Sequence, residues 1–298
     1  MKIQRRELFS GAAAVGASLA VAGAARTAAA ITLPDPPKPA VLKLSSQLGV
    51  IPGKSLTEKL DKMEQWGFDA VELPGDIVGK ESEYETALRN RKLKFSAVCF
   101  GSMGGALVSD DVSKRDPAKE QFKKVLAAAG ALQTTGVIYV PAFNGQTKLT
   151  NQEIRAVLLE VLPELGEYAL SVKSRILLEP LNRKEAFFLR QLADAASICR
   201  DCKNEGVRMM GDFYHMCIEE TSDLGAFISA GPYLHHVHLA SRIRVLPGQD
   251  DRSFIDGFRG LKVIGYQDYC SFECGVKGDR EVEIPKALEF LKQQWEQA

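Results

Sequence analysis

The 298-residue sequence predicts a closed (β/α)8 TIM barrel, and three observations carry that expectation. After residue 40, short β-branched or apolar runs alternate strictly with longer stretches of helical spacing. Eight such pairs fit into residues 41–298, close to the roughly 250 residues that one barrel uses. No Gly-rich phosphate loop follows the first strand run (SSQLGVIPGKS), where a doubly wound open sheet would favour one. Strict alternation implies parallel strands, because each helix carries the chain back to the same end of the sheet.

The elements follow in order. VLKLSSQ (41–47) is the first strand run, with a helix expected at 55–66. FDAVELP (68–74) precedes a helix at 81–91, and KFSAVCF (94–100) one at 117–134. GVIYVPA (136–142) leads to 150–172, and RILLEPL (175–181) to 189–204. VRMMGDF (207–213) is followed by 222–230, LHHVHLA (234–240) by 253–264, and YCSFECG (269–275) by 283–296. Gly67, Gly136, Gly206 and Gly265 each stand between a helix and the next strand, where a helix stop is expected. Nothing in residues 41–298 reads as a linker, so a single domain is expected there.

Residues 1–30 read differently. Lys2, Arg5 and Arg6 form a basic head, Leu8 to Ala25 carry no charge, and Ala28-Ala29-Ala30 fits a small-residue cleavage site. Arg5-Arg6, followed by Glu7, Leu8 and Phe9, resembles a twin-arginine export signal, which implies a periplasmic or otherwise exported protein. No cysteine lies near the cleavage point, so no lipid anchor is expected. Ile31 to Ala40 is a Pro-rich lead-in.

Basic and acidic residues number 38 each. Removing residues 1–30 leaves 34 basic and 37 acidic residues, a net charge of −3. Nucleic-acid binders ordinarily carry a basic excess, so no nucleic-acid partner is expected. No stretch after residue 30 reaches the ~18 apolar residues of a membrane span. Of the six cysteines, Cys199 and Cys202 fall in a helical pattern without further zinc ligands nearby and read as buried thiols, with a disulfide between them left open. Cys274 reads as a packed side chain, since a nucleophile would need a base and a lowered pKa.

In a barrel of this kind the active site lies at the C-terminal ends of the strands. Four apolar runs end in an acid or an imidazole: Glu179 after Leu177-Leu178, Asp212 after Met210-Gly211, His238 after His236-Val237, and Glu273 after Ser271-Phe272. Such groups pointing into one mouth would suffer burial and mutual repulsion unless a cation neutralised them. Three carboxylates and one imidazole suit Mn²⁺ or Co²⁺, with Mg²⁺ also compatible, better than structural zinc. All four histidines, His215, His235, His236 and His238, fall within 24 residues. Alternation places His236 and His238 on one strand face and His235 on the other.

The stretches LEPLNRKE (178–185), GDFYHMCIEE (211–220), HVHLASRIRVLPG (236–248) and SFECG (271–275) resemble the xylose-isomerase-like sugar epimerase and isomerase superfamily. The nearest branch resembles the ketose 3-epimerases of the D-tagatose and D-psicose type, with hydroxypyruvate isomerase as a cousin. The resemblance implies that Glu179, Asp212, His238 and Glu273 bind one divalent metal ion. It also implies that Glu179 and Glu273 are the acid/base pair. One carboxylate would remove the proton beside a ketose carbonyl and the other return one from the opposite face, through a metal-stabilised enediolate. By the same resemblance His215, Arg244 and Glu185 hold the substrate oxygens, with Arg242 a competing arginine. Gln249-Asp250-Asp251 departs from the Gly-containing run usual in the family.

The implied function is a metal-dependent sugar isomerase or epimerase with a small carbohydrate substrate, and a homo-oligomer is compatible with it. An exported 3-keto-glycoside lyase or hydratase would use the same site. A periplasmic sugar-binding protein without turnover is a further reading, though it leaves both Glu179 and Glu273 unexplained. An endonuclease of the related barrel type would need more histidines and a basic groove.

Overall fold

The computed structural model describes residues 38–298. The expected export segment and most of the lead-in lie outside the described residues. The strands are β1 (Lys43–Gln47), β2 (Ala70–Pro74), β3 (Lys94–Gly101), β4 (Val137–Tyr139), β5 (Ile176–Leu178), β6 (Val207–Asp212), β7 (Leu234–Leu239) and β8 (Tyr269–Phe272). Each pairs in parallel with the next, and β8 returns to β1, closing the barrel. The helices are α1 (Leu56–Trp66), α2 (Glu81–Leu88), α3 (Arg115–Ala131), α4 (Asn151–Ser171) and α5 (Leu192–Cys202), then α6 (Phe213–Glu219), α7 (Asp223–Ala230), α8 (Ile255–Val263) and α9 (Arg280–Gln297).

Side chains alternate along each strand between the helices and the barrel interior. Val137, Tyr139, Ile176 and Leu178 join the large apolar core beneath the helices. Ala97, Ile138, Leu177 and Met210 form a separate cluster inside the barrel. The same alternation carries the chain from Leu177 to Glu179 and from Met210 to Asp212. Each carboxylate therefore lies on the inward face, one layer above that plug.

Local chemistry accounts for the helix ends. Ser55 caps α1 by accepting the Glu58 N–H, and Gly67 ends it in the left-handed region (φ 84°). Thr150 and Glu153 form a reciprocal capping box at the start of α4. Of the four glycines expected to stop helices, Gly67 and Gly265 have positive φ in the left-handed region. Gly206 serves another purpose: a Cβ there would collide with the Gly166 carbonyl oxygen, so its role is close packing of the loop before β6 against α4. Gly136 likewise lacks room, because a Cβ would meet the Arg175 carbonyl oxygen.

Two differences from expectation matter at the mouth. Runs 136–142 and 175–181 yield strands of only three residues each, because Pro141 and Pro180 have no N–H to extend the ladder. The residues beyond them become loops over the barrel. Helix α6 was not expected; Asp212 starts it by accepting the Tyr214 N–H at 2.7 Å. Among the described residues all six cysteines are free, and Cys199 and Cys202 are buried in α5. No helix of the described residues is long and apolar enough to cross a membrane.

Candidate active site

Glu179, Asp212, His238 and Glu273 come together at the C-terminal end of the barrel, each from a different strand end. One ligand atom from each lies within 4.8 Å of those of the other three. Asp212 and His238 are fully buried, and Glu179 nearly so. His238 Nδ1 stands 3.3 Å from Glu273 Oε2 and 3.7 Å from Glu179 Oε1. Asp212 Oδ2 and His238 Nδ1 are buried without a hydrogen-bond partner.

Unless a cation neutralises them, three carboxylates this close do not share one charge state. Burial, and then the neighbouring Glu273, push Asp212 well above the ordinary carboxylate range. Burial also raises Glu179, an effect that His238 opposes and Glu273 reinforces. Burial would raise Glu273 as well, but His238 and Arg244 outweigh it and hold this carboxylate down, at about 2. Two orphaned polar atoms aimed at one point, among mostly oxygen donors, fit a divalent cation of the Mn²⁺, Co²⁺ or Mg²⁺ kind.

The neighbouring groups form a second arc. His215, on α6, places Nε2 3.4 Å from Asp212 Oδ2. Its Nδ1 accepts from the Asn182 backbone N–H at 3.2 Å and lies 2.7 Å from Asn182 Nδ2. Two donors at Nδ1 leave the ring proton on Nε2, which faces the cluster. Burial and then Arg244 lower the His215 pKa to about 3, so the ring is a neutral donor. Asn182 Nδ2 also donates to Glu185 Oε1 at 3.0 Å.

Arg244 joins the two sides. It donates through Nη2 to Glu273 Oε2 (2.8 Å) and through Nη1 to Glu185 Oε1 (3.3 Å), and lies over the Tyr214 ring. Its backbone is in the left-handed region (φ 58°), a conformation a non-glycine residue adopts at a cost. Arg242, the competing arginine, turns away to Asp251 on the surface. Cys274 is no thiolate: burial, then Asp212 and Glu273, push its thiol up to about 12.

Behind His238 lies a group that sequence reasoning missed. Glu72, inside β2, is fully buried. Its carboxylate accepts from His238 Nε2 (3.0 Å), from His236 Nε2 (2.8 Å) and from Gln47 Nε2 (2.8 Å). Gln47 also donates to Glu273 Oε1 at 3.1 Å. The signal was present: a lone acid within the apolar run AVELP is as anomalous as those ending β5 and β6. His235, on the opposite face of β7, pairs with Asp268.

A family model described as the xylose isomerase-like TIM barrel matches residues 60–294. The chain belongs to the xylose isomerase-like TIM barrel family. Within this family, 249 residues are 27% identical to the 3-dehydro-D-guloside 4-epimerase of Escherichia coli strain K12, covering 80% of this chain and 94% of that protein. The D-psicose 3-epimerase of Agrobacterium fabrum strain C58 is 25% identical over 229 residues, 73% of this chain and 78% of that one. The crystal structure of an E. coli 3-keto-D-glucoside 4-epimerase superposes with a TM-score of 0.75 at 24% identity, over 85% of this chain and all of that one. These xylose isomerase-like relatives are named as epimerases of sugars.

Proposed function

We propose that the protein is a divalent-metal-dependent sugar epimerase or isomerase that moves a proton at the carbon beside the carbonyl of a ketose or keto-sugar. The observation that supports this most directly is the pair Glu179 and Glu273. Both border the same donor cluster, at the ends of β5 and β8, with carboxylate oxygens 3.7 and 3.3 Å from His238 Nδ1. Two carboxylates flanking one substrate carbon can take a proton from one face and return one to the other, in either direction. A divalent cation held by Glu179, Asp212, His238 and Glu273 would supply Lewis-acid polarisation of the substrate carbonyl. Arg244 and the Nε2–H of His215 sit where they can stabilise the negative charge that grows on the substrate oxygen. Glu185, tied to Arg244 and Asn182, completes the substrate side. We also propose that the protein acts outside the cytoplasm, on the strength of residues 1–30, which favours a free sugar or glycoside over a phosphorylated one.

The test is an NMR assay in D₂O with the Mn²⁺-loaded protein and a panel of free ketoses and 3-keto-glycosides. Deuterium should enter next to the carbonyl while substrate mass is otherwise conserved. Release of an aglycone, or gain or loss of water, would overturn the epimerase reading. Absence of exchange with every member of the panel would do the same.

A further inference from the structure

We infer that Glu72 is a positioning residue for the cation site, aiming His238 from behind and, through Gln47, Glu273 from the side. The inference rests on the metal reading above and concerns a part of the chain that reading does not use. Glu72 sits among His236 and His238, and by spacing alone these three could hold a cation of their own. Their contacts argue otherwise. Both Nε2 atoms are already spent on the carboxylate, at 2.8 and 3.0 Å, so the group is a hydrogen-bond network.

The network has a direction. An ionised carboxylate only accepts, so His238 must carry its proton on Nε2. Nδ1 is then the atom left to meet a cation, which would take the place of any proton there, and it faces Glu179, Asp212 and Glu273. With the opposite tautomer, a lone pair would face the Glu72 oxygens at 3.0 Å. His236 and Gln47 add two further donors to the same carboxylate, one at each oxygen at 2.8 Å, so both oxygens of the fully buried group face N–H donors. Gln47 spans the gap: its one amide nitrogen lies 2.8 Å from Glu72 and 3.1 Å from Glu273. One buried carboxylate thus orients two of the four donors. Outer partners of this kind typically change metal affinity by about ten- to hundredfold when removed.

The experiment compares the full chain with Glu72→Gln and Gln47→Ala. Each protein is freed of metal with a chelator and titrated with Mn²⁺ by calorimetry. The unfolding temperature of the metal-free form is recorded alongside. Glu72→Gln should weaken Mn²⁺ binding by about ten- to hundredfold, because an amide offers one acceptor oxygen to three donors and its NH₂ must face one of them. Gln47→Ala, at a half-buried position, should weaken it by about tenfold or less. A purely structural role for Glu72 would lower the unfolding temperature and leave the Mn²⁺ affinity of the folded protein unchanged, which would overturn the inference. If Glu72→Gln does not fold, Gln47→Ala decides: unchanged affinity overturns the inference, weakened affinity supports it. A wild-type protein that binds no Mn²⁺ would overturn the metal reading and the inference together, whereas tight wild-type binding with unaffected variants overturns the inference alone.

Discussion

Glu273 combines three contacts that rarely meet on one carboxylate: the His238 ring at 3.3 Å, the Arg244 guanidinium at 2.8 Å and the Gln47 amide at 3.1 Å. Together they favour the ionised form against the cost of burial, which is what a base needs. Glu273→Gln keeps the shape and removes the carboxylate that the proposed mechanism uses as a base. It should lower kcat by about 10²- to 10⁴-fold while leaving the unfolding temperature within a few degrees of wild type. Full activity in that variant would rule out the two-carboxylate mechanism. At this scale much of the candidate site was legible in the sequence. Glu179, Asp212, His238 and Glu273 announce themselves because ionisable groups at the ends of apolar strands are costly to bury alone. Glu72 carries the same signal. It passed unnoticed because it lies inside its strand run, and its partners are 25 and 164 or more residues away. Asn182, which orients His215, gives no sequence signal at all, since an asparagine in a loop is ordinary.

The loop between β5 and α5 shows how elements share the work. It carries Asn182 and Glu185, and it is held by a carboxylate from another element. Glu219, at the end of α6, is buried and accepts from the Arg183 backbone N–H (2.7 Å) and from Arg183 Nε and Nη2 (2.8 and 3.0 Å). Helix α6 also bears His215, so one clamp holds the loop of Asn182 and Glu185 against the helix of His215. Burial would raise the Glu219 pKa, but the Arg183 contacts prevail and the net shift is downward. A carboxylate with a lowered folded pKa contributes stability above its unfolded pKa, and that stability is lost as pH falls through the folded value. Glu219→Gln should therefore destabilise the protein by about 1–3 kcal/mol at neutral pH, read from urea unfolding. The gap to wild type should close as pH drops below the ordinary carboxylate range. A gap that does not change with pH would show that the clamp owes nothing to charge. The helix α6 itself escaped sequence reasoning because Asp212 is both strand end and helix cap, leaving no turn residues to mark the boundary.

For the whole molecule, closure of β8 onto β1 brings side chains from opposite ends of the chain to one mouth. The four cluster donors come from β5 to β8, while Gln47 and Glu72 come from β1 and β2. A cation bound there ties four strand ends together and stabilises the folded barrel by mass action. At a free Mn²⁺ concentration of about 100 times Kd, that stabilisation should be about 2.7 kcal/mol, seen as a rise in Tm over the chelator-treated protein. The Asp212→Asn variant should lose most of the rise. An equal rise in that variant would place the bound ion elsewhere.

The sequence by itself determined the barrel and the acids and imidazole at its mouth, because alternation and burial cost are local properties of a strand. The order of elements followed too, apart from helix α6 and strand ends such as 140–142 and 179–181, where a proline cuts the ladder. Only the tertiary structure decided which inward side chain meets which. The meeting of Glu72 with His236 and His238 depends on barrel register across the closed sheet. So does the turn of Arg244 inward and Arg242 outward, which rests on one left-handed residue in a loop. The physical reason is the same in each case: hydrogen bonds and ion pairs act over about 3 Å, and nothing in a linear chain records which residues, more than a hundred positions apart, will be brought within that distance.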